Sequence, residues 1–80
     1  METAQSLNGV PIRLPDERWL HLTESHSEMA GYYADVLETV EDPDAIYEGN
    51  SGELLAVKAI GTTKYLIVVY KEVNRKDGFA

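Results

Sequence analysis

The chain has no cysteine among its 80 residues. Disulfide staples and thiolate–zinc centres are therefore excluded, and a reducing, cytoplasmic setting is the natural expectation. Histidine is scarce: only His21 and His26 occur. Ligands three or four residues apart share a helical face, but these two are five apart, so no metal site is expected from them. There is no Gly-rich phosphate loop, no nucleophile elbow and no Ser/His/Asp arrangement, and no cofactor is implied. No apolar run approaches the ~20 residues of a membrane-spanning helix, so no membrane partner is expected. Met1 to Gly9 lacks a basic head followed by an apolar stretch. It does not read as a secretory signal, and residues 1–10 are expected to form a flexible polar tail ahead of one domain over 11–80.

Positive charge is missing from a long stretch. Between Trp19 and Val57 there is no Lys or Arg, while Glu24, Glu28, Asp35, Glu38, Glu41, Asp42, Asp44, Glu48 and Glu53 all fall there. From Lys58 onward the balance reverses, with Lys58, Lys64, Lys71, Arg75 and Lys76 against Glu72 and Asp77. The net charge of −7 disfavours nonspecific binding to nucleic acid or anionic membrane. Segregation still leaves a basic sheet region able to meet phosphate locally. The plainer account is that acids coat solvated helices and lysines guard strand edges.

What is present is a strong β signal near the C-terminus. Glu53–Ile60 and Lys64–Lys71 are rich in Leu, Val, Ile and Tyr, and Gly61-Thr62-Thr63 joins them as a hairpin turn. Ala45–Glu48 reads as a shorter strand, set off by the turn residues Gly49 to Gly52. Upstream, Ile12 and Leu14 suit a short extended segment docking on the core. Asp16–Ser25 reads as a helix with Asp16 as N-cap and Trp19 as core anchor. Ser27 opens a second helical stretch running to about Val40, with Met29, Tyr33, Val36, Leu37 and Val40 on one face. Gly31 weakens its start, so regular helix begins near Tyr32, and Pro43 ends it. The expected fold class is α+β: two N-terminal helices on one face of a small antiparallel meander of three to four strands. Asn74 to Gly78 is a polar turn, and Phe79-Ala80 looks like the start of a further strand. Either a C-terminal strand is lacking or the sheet ends in an exposed edge, open to a second copy or another protein.

Few side chains suggest chemistry. His26, at the exit of the first helix, is placed for a general acid or phosphate contact, or is simply a capping residue. His21 sits mid-helix. Lys58 interrupts an apolar strand, and by alternation it shares a face with Leu54, Ala56 and Ile60. The face away from the helices is the expected place for it, where it would hold a phosphate or keep that face soluble. Tyr70 suits base stacking, with Lys71 beside it as a second binding residue, although such tyrosines are commonly half-buried sheet residues.

The span from Arg13 to Phe79 resembles a family of small phage- and bacteria-associated domains grouped with barnase, EndoU, colicin-type tRNases and RelE as one nuclease fold. The matching pieces are Leu14 to Leu22, His26, Val36 to Asp44, Gly52 to Lys58, Tyr65 to Glu72 and Asp77 to Phe79. The resemblance implies N-terminal helices on an antiparallel sheet, and metal-independent RNA cleavage by 2′-hydroxyl attack. In that reading His26 is the general acid/base, His21 its helper and Lys58 the phosphate contact, with RNA as partner. Domains of this kind usually continue with another strand carrying Thr and aromatic residues.

Overall fold

A computed structural model describes residues 2–80. The order of elements is β1 (Glu2–Gln5), β2 (Pro11–Leu14), α1 (Asp16–Ser25), a 3-10 turn at Ser27–Met29, α2 (Tyr33–Glu41), β3 (Ala45–Glu48), β4 (Leu54–Ile60), β5 (Lys64–Asn74) and β6 (Asp77–Phe79). The α+β class holds. The sheet is larger than a short meander, with six strands in the order β1-β2-β6-β5-β4-β3. It is also mixed: β6 runs parallel to β2, with Ile12 opposite Gly78 and Arg13 opposite Phe79, and the other neighbours are antiparallel.

Local signals account for most elements. Helix α1 spans the expected residues, but Pro15 occupies the N-cap position and Asp16 with Glu17 fill the first turn, where carboxylates suit the helix dipole. The second helical stretch divides, as Gly31 suggests, into the 3-10 turn and α2. Gly61 closes the β4–β5 hairpin with φ +68, a backbone region that favours glycine. Strand β5 extends past Lys71 to Asn74, and its register shifts between Glu72 and Asn74, so Val73 bulges.

The N-terminal tail is a correction. Glu2–Gln5 is a strand paired with β2, and Ala4, Ser6 and Val10 are buried. The alternation Thr3, Ala4, Gln5, Ser6 is too weak in apolar content to announce a strand. Its ladder comes from the neighbouring β2, and α2 packs against β1.

Sheet curl lets α2 touch β1 on one side and β4 and β5 on the other. Val36 and Val40 pack with Ala4, Ile12, Leu14, Ala56, Leu66, Val68 and Tyr70 as the core. Thr39 is fully buried, and its hydroxyl donates to the Asp35 carbonyl at 2.6 Å. Burying one such aliphatic side chain is worth about 1.5–3 kcal/mol, so a few positions on α2 hold the sheet's curvature. By contrast, α1 has no buried residue.

Strand β6 is short but firmly placed. Arg13 donates to both Asp77 carboxylate oxygens, from Nε at 2.8 Å and Nη2 at 3.2 Å. The Ala80 amide donates to the Arg13 carbonyl at 3.0 Å. A methyl group on Gly78 would lie 2.5 Å from Ile12 Cδ1 and 2.6 Å from the Lys71 carbonyl oxygen. Gly78→Ala is therefore expected to lower stability by about 1–3 kcal/mol. Urea unfolding measures this, and an unchanged midpoint would refute the close packing of β6.

Candidate functional site

Strand β5 pairs with β4 along its whole first half, from Lys64 opposite Ile60 to Tyr70 opposite Leu54. On its other edge it meets β6 only from Lys71 to Asn74. Between Lys64 and Tyr70 that second edge has no strand beside it among the described residues. Its outward backbone N–H and C=O groups form an open ladder edge.

Alongside this edge lies an apolar cleft of about 370 Å³ between α1 and β5, lined by Trp19, Leu22, Met29, Val36, Leu66 and Val68 among others. Trp19 is half-buried and stands edge-on to Tyr33, with centroids 5.1 Å apart at 86°. It is a wall of the cleft as much as a core anchor. Arg18 and His21 also line the cleft. Arg18 donates to the Ala80 carbonyl at 3.2 Å, and its guanidinium carbon sits 5.3 Å from the centre of the Phe79 ring.

On the sheet face away from the helices, Tyr65, Ile67 and Val69 of β5 are 72%, 57% and 52% exposed. Tyr47 and Val73 are exposed on the same sheet. Strand β5 is thus apolar on both faces, a pattern that suits a strand covered on both sides.

The residues singled out from sequence are dispersed. Lys58 lies on the helix-covered side, not the uncovered one: it shares a face with Ala56, which is fully buried, and with Leu66 opposite it. Its ammonium donates to the Asp42 carbonyl at 2.8 Å and stands 3.6 Å from the Asp42 carboxylate. Asp42 is the C-cap of α2. A cation there meets the negative end of the helix, which is why a lysine is tolerated at the rim of the core.

His26 caps the C-terminus of α1 through its amide, which donates to the Leu22 carbonyl at 2.8 Å. Its ring Nδ1 is 3.4 Å from a Glu28 carboxylate oxygen, and both side chains are largely solvated. Lys71 is exposed and lies in register with Phe79. Lys64 begins β5, while Arg75 and Lys76 occupy the turn before β6, so the basic residues form no single face. Among the described residues no three His, Asp or Glu side chains group as metal ligands, and no helix is long and apolar enough to cross a membrane.

Tyr70 is 2% exposed, in the core, where no base can stack on it. Its hydroxyl is buried and has no hydrogen-bond partner among the described residues. Burial, and then the Glu72 carboxylate, raise its phenol above the ordinary value of 10.0. Glu72 itself accepts from the Ser6 hydroxyl and from the Asn8 amide at 2.9 Å. A raised folded-state value means that Tyr70's contribution to stability is complete below about pH 10 and is lost as pH climbs toward the folded value. Tyr70→Phe is expected to stabilise the fold by about 1–3 kcal/mol, the usual penalty of an unpaired buried hydroxyl. It should also flatten the alkaline decline. Chemical denaturation at pH 7 and above pH 10 checks both, and a destabilised variant at both values would refute the unpaired hydroxyl.

No family model, curated protein or solved structure matches this chain.

Proposed function

We propose that this chain is a non-catalytic interaction module that engages another polypeptide through the open edge of β5. The observation that carries this reading is the strand's one-sided pairing between Lys64 and Tyr70. An unpaired edge beside exposed apolar side chains is a ready template for strand addition. The surrounding residues favour binding over chemistry. Lys58 is tied to the end of α2 and Tyr70 is in the core, so two of the five suggested site residues point away from any shared solvent-facing centre.

Without a partner, the same edge is expected to pair weakly with a second copy as concentration rises. Light scattering over a concentration series reads this out. Ile67→Lys places a charge on an exposed position and is expected to abolish the association without unfolding the chain. A wild-type protein that stays monomeric throughout would count against a second copy as the occupant of the edge.

A ribonuclease reading rests on the resemblance and on one local feature: His21 and Arg18 line the same cleft. Under it, total RNA is cleaved by the wild type, and cleavage falls at least about tenfold in both His21→Ala and His26→Ala, within the usual contribution of a general acid or base. Equal cleavage by all three proteins, or none by any, removes these roles.

A further inference from the structure

The lane beside β5 has a defined direction and chemistry. Strand β6 runs antiparallel to β5, with Lys71 opposite Phe79 and Glu72 opposite Gly78. Extending that line along β5 leads past Val69 and Ile67 to Tyr65, where no strand is seated. A segment lying there would turn its side chains alternately to the two sides of the sheet. One set would enter the cleft against Trp19, Leu22 and Met29, and the other would lie beside Ile67 and Val69.

The cleft decides among occupants. A second copy's β5 is a poor fit, because its inward side chains, Leu66 and Val68, are already 7% and 6% exposed within their own core. Pairing two such strands would leave the cleft unfilled. The occupant that completes it brings apolar side chains of its own. Charge narrows the choice further. In a chain with a net charge of −7, this lane has Arg18 in the cleft lining and Lys64 and Lys71 at the ends of the open stretch of β5; Glu28 lies near Lys64, and Glu72, next to Lys71, is already engaged by Ser6 and Asn8.

Resting on the interaction reading above, we infer that the lane between α1 and Tyr65–Val69 accepts an extended peptide from a different chain. The peptide lies antiparallel to β5, alternates apolar residues into the cleft, and carries acidic residues at its ends. Helix α1 is suited to such an entry, since none of its residues is buried and it can yield without breaking the core.

The test uses the full chain and a short synthetic peptide of alternating Leu or Val and Thr with Asp at both ends. Trp19 is the only tryptophan and lines the cleft, so its emission reports occupancy. Saturable binding with a blue shift is expected, with one peptide per chain and slowed amide exchange within residues 65–69. Leu22→Asp alters a cleft residue that is 39% exposed, outside the buried core, and is expected to weaken binding by about tenfold or more. The same variant should keep the wild-type urea unfolding midpoint, as surface substitutions usually do.

Protection at β3 or β1 in place of 65–69 would overturn the proposal, as would undiminished binding by Leu22→Asp. Absence of any peptide response would overturn it too. In that last case, concentration-dependent association that Ile67→Lys abolishes would leave the interaction edge standing, with a second copy as its occupant. Loss of both responses would remove the edge reading as well.

Discussion

The fold depends on a three-residue strand. Without β6, β1–β2 is one ribbon and β3–β4–β5 another, with no strand pairing between them. Asp77–Phe79 joins them by pairing with β2 on one side and β5 on the other. Such a short ladder supplies few hydrogen bonds. It is reinforced by the Arg13–Asp77 fork, by the contact of Gly78 with Ile12 and Lys71, and by the hold of Arg18 on Ala80 and Phe79. Charge-assisted, bidentate contacts of this kind carry more geometric information than a single backbone bond.

The same strand creates the candidate site. Because β6 pairs with β5 only from Lys71 onward, the preceding stretch of β5 keeps an open edge. Helix α1 lies across that opening without burying any residue, which leaves a cleft with Trp19 and Leu22 on its helical side. Strong packing lies elsewhere, under α2, where Val36, Thr39 and Val40 are buried. The molecule thus combines a firm half around α2 with a lightly held half around α1. Under the interaction proposal, the second kind of region is where another chain would be admitted.

The charge pattern takes on a different meaning once folded. The acid-rich span covers α2, β3 and their connections, and Lys58 donates to the carbonyl of Asp42 at the end of α2. The cations that remain solvated are Arg18 on α1 and those spread over β5 and the turn that follows it. Under the proposed peptide reading, that distribution would serve local contacts with acidic side chains, whereas a groove tracking a nucleic-acid backbone needs several phosphates neutralised together.

The sequence alone determined what depends on neighbours along the chain. The limits of α1, the break near Gly31, the stop at Pro43 and the β4–β5 hairpin all follow from short-range preferences. They match the observed elements to within a few residues. Tertiary structure decided what short-range pattern leaves open. Period-two alternation groups Lys58 with Ala56 and Leu54 but does not say which side α2 will cover; Ala56, small enough to sit beneath the helix, settled that. Thr3 and Ala4 become a strand only because β2 offers a ladder. β6 lies parallel to β2 although more than 60 residues separate Ile12 from Gly78, since pairing at that distance is specified by the assembled edges and not by any local signal.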